Sequence, residues 1–234
     1  LRGYRVREWD REYAGFWDSA IEGSSCLQAA LKRALKVELG RNENLLVVQA
    51  LWDASHFYDS SRLPDVVEFA SAHEYDALLL ALGLQAHFGP RTLLAGKHHS
   101  EWLPSCDSVL AGDQESCTFT RMLLYDLLES CHNVWPMAGP IQQVDDLAQT
   151  VEGKDEDQVF QRLAPCAIHL ATSLQAKGFT ISEKSSIVPA SCPAAQRVFR
   201  ALRRAGVPAR LAMHERDVGI DTSAGLRRVL KVQK

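Results

Sequence analysis

Two acidic positions in this 234-residue chain stand where a carboxylate needs a chemical reason. The first is Asp53, directly after the apolar run LLVVQALW of residues 45–52 and before Ala54-Ser55-His56-Phe57-Tyr58-Asp59. A desolvated, unpaired carboxylate is costly, so an acid that ends a buried strand calls for a partner. The second is Asp145-Asp146, between the short strand-like runs 141–144 and 147–151. That is hairpin spacing, and Asp tolerates the dihedrals of a tight turn, so the pair alone reads as a solvated turn. If the 45–52 strand lies beside the hairpin, Asp53 and the turn acids project from one end of a sheet. Three carboxylates that close repel one another unless cations sit among them. Oxygen-only ligands suit Mg²⁺ or Mn²⁺. Two such ions, about 3.5–4 Å apart, can activate an attacking hydroxyl and stabilise a leaving phosphate oxygen.

The elements that must position these acids are legible from periodicity. Residues 24–39 read as a helix with Ser24 or Ser25 as cap, a stripe of Leu27, Leu31, Ala34 and Leu35, and Gly40 as its end. Residues 63–84 read as helical with a break near 73–75, and residues 117–131 as a helix carrying Phe119, Met122, Leu123, Leu127 and Leu128 on one side. Residues 155–177 read as another, with acids in the first turn, Gly178 past the end and a kink expected at Pro165. Short strands are expected at 108–111, 141–144, 147–151, 179–181 and 187–188. Tight connections between them favour an antiparallel sheet in an α+β fold over a doubly wound one.

Composition bounds the rest. Apolar residues make up 46% and charged residues 24%, which excludes a mainly disordered, collagen-like or coiled-coil chain. The longest apolar runs fall far short of the roughly 20 residues that span a bilayer, so no membrane association is expected and an intracellular setting, cytoplasm or nucleus, is. The chain starts Leu1-Arg2-Gly3 and is expected to be a piece of something longer. From residue 196 to 234 ten basic residues face three acids, including Arg197, Arg200, Arg203 and Arg204; with a net charge of −3 overall, residues 1–195 carry −10. An acidic body with a basic tail can hold cations in one part and a polyanion in the other, although a solvated helix face accounts for the charge equally well. The six cysteines form no CxxC pair and read as reduced; a zinc site from His98, His99 and Cys106 matches no closed ligand spacing.

The order and spacing of these motifs resemble the palm of a reverse transcriptase, specifically that of non-LTR, LINE-like retroelements of the divergent protist sort. Residues 51–59 are similar to the family's first palm motif, an Asp followed six residues later by an aromatic-Asp pair. The resemblance implies that Asp53 is a metal ligand and Tyr58 the bulky gate beneath the sugar. Gln143-Val144-Asp145-Asp146 is similar to the aromatic-x-Asp-Asp box, which implies Asp145 as the second metal ligand with Asp146 close by. Residues 111–116 occupy the place of the template- and nucleotide-positioning motif, with Gly112 and Gln114 as its binding residues. Residues 174–185 resemble the next motif, in which Lys184 protonates the pyrophosphate leaving group, where negative charge develops. Residues 216–221 resemble the segment that enters the thumb, and residues 22–25 stand where relatives carry a Gly-Arg-Ser-type helix start.

The resemblance implies helical partial fingers over 1–44, a palm over 45–190 and a basic palm–thumb junction over 191–234. It also implies a palm-like antiparallel sheet of 3–4 strands covered by helices on one face. Two Mg²⁺ or Mn²⁺ ions would be the cofactors, with dNTPs and an RNA/DNA primer–template as partners. The departures are Gln143 in place of the aromatic and Asp113 and Glu115 where Pro and Gly are usual. Fingers and thumb segments would lie outside residues 1–234. Three readings stay open: an RNA-directed DNA polymerase palm, a decayed or recruited retroelement fragment that binds nucleic acid without polymerising, and a metal-dependent nuclease using the same acids.

Overall fold

The computed structural model describes residues 2–103, 107–113, 115–217 and 220–222. In chain order they form α1 (Arg2–Tyr13), α2 (Cys26–Asn42), β1 (Leu46–Trp52), β2 (Ala54–Ser55), α3 (Phe57–Ser60), α4 (Leu63–Ala72) and α5 (Ala77–Phe88). Next come β3 (Leu94–Ala95), β4 (His98–His99), α6 (Ser116–Val134), β5 (Ile141–Gln143), β6 (Asp146–Gly153) and α7 (Glu156–Ala176). The last are β7 (Thr180–Ile181), β8 (Ser186–Val188), α8 (Pro193–Arg204), β9 (Arg210–Leu211), β10 (Glu215–Asp217) and β11 (Ile220–Thr222). The fold class is mixed α+β, as expected. Two compact units arise, Leu1–Tyr13 with His56–Leu124, and Ala14–Ser55 with Tyr125–Lys234. Their bounds differ from those of the expected segments 1–44, 45–190 and 191–234, which rest on motif resemblance and not on compactness.

The second unit is built on a sheet of order β5-β6-β1-β8-β9, antiparallel except for the parallel β8–β9 pair. It has five strands where three or four are expected, because residues 210–211, unassigned from sequence, add to β8. Central β1 is buried along nearly its whole length, as LVVQALW requires. Helix α7 lies against β6 and β1, and α8 against β8 and β9. Asp155 caps α7 by accepting from the Gln158 N–H at 2.8 Å, and the helix runs through Pro165 to Ala176, with Gly178 at positive φ after it. Val159, Leu163, Cys166, Ala167, Leu170 and Leu174 form its buried stripe. On that face the Trp52 indole N–H donates to Gln149 Oε1 at 2.9 Å, and Gln149 Nε2 donates to the Ala138 carbonyl at 2.6 Å.

Helix α2 meets the opposite face and does so with its small residues. Ala29, Ala30, Val37 and Gly40 are buried, whereas Leu27, Leu31, Leu35 and Leu39 are each more than half exposed. The leucine stripe expected in the core therefore points outward. The reason is close approach: a Cβ added at Gly40 would stand 2.7 Å from Val47 Cγ2. Gly40 is thus a packing glycine inside the helix. The helix ends at Asn42, and Asn44 just beyond it has a φ of 58°, the left-handed conformation that Asn tolerates.

The first unit clusters α1, α4, α5 and the first half of α6. Trp9 stacks on Tyr13 at 4.8 Å, meets Tyr75 edge-on at 4.9 Å and donates its indole N–H to the His73 carbonyl. Asp10 accepts from the Thr118 hydroxyl and from the buried Arg121 guanidinium. The strand expected at 108–111 does not form beyond a single bridge of Ser108 to Arg62, because the Leu110 N–H goes to His87 Nδ1 at 2.7 Å and its carbonyl to the Ser116 hydroxyl at 2.9 Å.

Two core substitutions test this packing. Leu170→Ala, at a fully buried position, is expected to lower unfolding free energy by about 3 kcal/mol. Leu31→Ala, on the exposed stripe, should change it by less than about 0.5 kcal/mol. Urea midpoints of the two variants read the difference directly.

Candidate functional site

The ladder between β1 and β6 sets where the acids lie. Its register runs from Leu46↔Gly153 to Trp52↔Leu147, so the next step along each strand brings Asp53 abreast of Asp146. On the other side of β6, Asp146 faces Gln143. Asp53 thus follows the last β1–β6 pair at the sheet end where the Gln143↔Asp146 pair closes the hairpin, with Asp145 in the turn. Of the three acids expected to converge, Asp53 lies near enough for its charge to act on the Asp145 carboxyl.

The hairpin that carries Asp145 is a two-residue turn, Val144-Asp145, closed by the Gln143↔Asp146 pair. Val144 has a φ of 57°, a conformation in which a β-branched side chain crowds its own backbone. The first central position of such turns is usually Gly. Backbone strain of this kind persists where surrounding structure over-determines it, and it concentrates at functional sites. Here the Gln142 side chain donates to the Val144 carbonyl at 2.9 Å and the flanking strands fix both ends.

Electrostatics mark the same place. Asp145 is half-buried, and desolvation holds its carboxyl above the usual carboxylate range. A hydrogen bond from its own backbone N–H opposes that rise, and the Asp53 carboxylate adds to it. The Asp145 carboxyl thus feels a like charge at the sheet end. Asp146 is exposed. Among the described residues no three His, Cys, Asp or Glu side chains are grouped so as to hold an ion together. A pair of carboxylates nonetheless fits a hard cation: Mg²⁺ keeps several waters and takes one or two carboxylates with substrate phosphates, in place of an all-protein cage.

Asp53 is held from its other side. Its N–H donates to the Ser185 hydroxyl at 3.0 Å, and its carbonyl accepts from the Ser182 N–H at 2.8 Å and the Ser185 hydroxyl at 3.2 Å. Both serines are buried. The turn they form carries Lys184, exposed, whose N–H donates to the Ser182 hydroxyl at 3.1 Å. Neither serine stands out in the sequence as functional. The available signal is the Ser182-Glu183-Lys184-Ser185 string, since serines of this spacing close turns on their own backbone.

The remaining expected residues fall elsewhere. Tyr58, half-buried on α3, and Gly112, exposed at a φ of 81°, belong to the first unit. Gln114 and Cys106 lie outside the described residues, as do Val218 and Gly219 in the segment expected to enter the thumb. His98 and His99 are exposed on β4, and the described cysteines are free thiols. On α8, Arg200, Arg203 and Arg204 are exposed. Arg197 instead packs α8 on α7, paired with Asp157 at 2.5 Å and lying over the Phe160 ring at 4.6 Å.

No protein-family model matches the sequence, nor does any curated protein. Solved structures do match in fold. A telomerase from Candida tropicalis truncated from its C-terminal domain superposes with a TM-score of 0.59 at 10% identity, over 95% of this chain and 42% of that one. The apo telomerase from the same organism gives 0.58 at 12% identity, over 95% of this chain and 38% of that one. The chain therefore spans about two-fifths of the length of these structures. At such identity the likeness shows the fold alone, one shared with these telomerase structures.

The raised carboxyl of Asp145 has a signed consequence. A carboxyl that holds its proton more tightly folded than unfolded favours the folded state at low pH, and that advantage is lost as pH rises from the ordinary value of 3.8 through the raised one. Asp145→Asn removes the charge, so the variant is expected to exceed the parent in urea midpoint at about pH 7 and to lose that margin below about pH 4. A parent more stable than the variant at neutral pH would contradict the burial of the charge.

Proposed function

We propose that this chain is the palm region of an RNA-directed DNA polymerase, a nucleotidyltransferase of the reverse transcriptase type from a non-LTR, LINE-like retroelement. The observation that carries the reading is the nearness of Asp53 to Asp145 at one sheet end, where burial first and the Asp53 charge in addition raise the cost of ionising Asp145. The reverse-transcriptase-like fold and the motif order of Asp53, Gly112, Asp145 and Lys184 support it.

Asp53 and Asp145, with Asp146 beside them, are the residues that would hold two Mg²⁺ or Mn²⁺ ions. Such ions, when bound, lower the pKa of an attacking hydroxyl and neutralise charge on a departing phosphate oxygen. The residues do the rest. Lys184, on the turn that clamps Asp53, gives its proton to the pyrophosphate oxygen as the primer 3′-hydroxyl attacks the α-phosphate of a dNTP. By the motif resemblance Tyr58 would be the sugar gate, and Gly112 and Gln114 the template- and nucleotide-positioning residues. Arg200, Arg203 and Arg204 meet primer–template phosphates, so affinity falls as salt rises. Arg197 contributes to the same face through α8 packing, its charge already engaged by Asp157. Most of the catalysis is positioning and electrostatics, as in other phosphoryl transfers.

A second reading, a retroelement fragment that binds nucleic acid without polymerising, is favoured by one observation. Gln143 replaces the aromatic residue of the box, and its side chain is buried with Oε1 lacking a hydrogen-bond partner.

Mn²⁺ titration followed by electron paramagnetic resonance tests the metal site. The parent chain is expected to bind, and Asp53→Asn and Asp145→Asn each to weaken binding at least about tenfold. Unchanged affinity in both variants contradicts the catalytic reading. With metal binding established, incorporation of dTTP on poly(rA)–oligo(dT) separates polymerase from binding-only fragment.

A further inference from the structure

We propose that Ser185 is the positioning residue of the carboxylate site, its hydroxyl fixing the main chain of Asp53 in a set relation to the turn that carries Lys184. The inference rests on the reading of Asp53 as a metal ligand.

Asp53 falls in a gap between ladders. The β1–β6 pairing ends at Trp52↔Leu147 and the β1–β8 pairing at Leu51↔Ser186, while β2 and β7 resume at Ala54↔Ile181. Continuing the β1–β8 register would set Asp53 abreast of Lys184, but residues 182–185 leave the strand as a turn, with the Ser185 N–H donating to the Ser182 carbonyl at 3.0 Å. The Asp53 carbonyl keeps one backbone partner, the Ser182 N–H at 2.8 Å, but the Asp53 N–H is left without a strand carbonyl. The Ser185 hydroxyl accepts from that N–H and adds a second bond to the carbonyl, so its donor and one acceptor site serve a single residue. Ser185 is 1% exposed, so water does not substitute readily for its hydroxyl. Its own carbonyl accepts from the Arg210 N–H at 2.9 Å, which ties the clamp to the sheet edge at β9.

Orientation of the Asp53 peptide planes sets the direction of its Cα–Cβ bond and so the place of its carboxylate. Groups that orient a metal-ligating side chain commonly change affinity ten- to a hundredfold when removed, roughly the range expected here. The adjacent Ser186 supplies an internal control. It is equally buried, but its hydroxyl has no hydrogen-bond partner and does not reach Asp53.

The test uses the full chain with Mn²⁺ as probe, read by electron paramagnetic resonance, together with hydrogen exchange of the Asp53 amide by NMR. Ser185→Ala is expected to weaken Mn²⁺ binding about tenfold and to speed Asp53 amide exchange, while Ser186→Ala stays within about twofold of the parent in both. Ser185→Cys, which keeps the volume with only weak hydrogen bonding, should move both readouts in the same direction and serves if the alanine variant fails to fold. Unchanged Mn²⁺ affinity in the Ser185 variants, or equal losses in Ser186→Ala, overturns the clamp. A parent chain that binds no Mn²⁺ overturns the metal reading instead. The clamp is then judged by Asp53 amide exchange alone, faster in Ser185→Ala if the hydroxyl holds that peptide and unchanged if it does not.

Discussion

At one end of the central sheet the Asp145 carboxyl is half-buried with the Asp53 charge near it, and both acids sit on backbone held in place by the second unit. Left in water, Asp53 and Asp145 would separate. Here the Asp145 carboxyl is half-buried and its proton affinity is raised, first by lost hydration and further by Asp53. A fold does not hold such a pair without rigid support on both sides. On one side stands the hairpin turn with Val144 forced into the left-handed region. On the other stands the pair of serines that grip the Asp53 peptide groups.

The support reaches into the sheet. Strand β1 is central, flanked by β6 and β8, so neither of its edges is free to slip. A one-residue slip would exchange its two faces and break the bond of the Trp52 indole to Gln149. Helices α7 and α8 are locked to each other through Arg197, Asp157 and Phe160, and α7 buries a continuous apolar stripe on β6 and β1. Strain and charge at the sheet end are therefore offset by packing several residues away. That division, a stiff apolar body under a polar and strained rim, suits a site in which geometry does most of the chemical work.

Much of this was legible in the sequence where the signal was local. The run at 45–52, the turn acids 145–146, the break between α4 and α5 and the cap of α7 at Asp155 all follow from periodicity and turn chemistry. What was not legible depended on partners far along the chain. The leucines of α2 point outward because Gly40 and two alanines allow a closer approach to Val47, and apolar patterning does not register the size of the facing residue. Residues 210–211 become a fifth strand only because β8 offers an edge. Residues 108–111 lose strand character to His87 and Ser116, side chains 23 and 6 positions from Leu110. Ser185 escaped notice for the same reason: it acts across 132 positions of sequence on a backbone group.

Anomalous scattering from crystals soaked in Mn²⁺ addresses the central claim most directly. The account predicts a manganese peak within bonding distance of carboxyl oxygens of both Asp53 and Asp145. Carboxyl groups lying more than about 10 Å apart, too far for a bridging ion pair at the usual spacing, would contradict it.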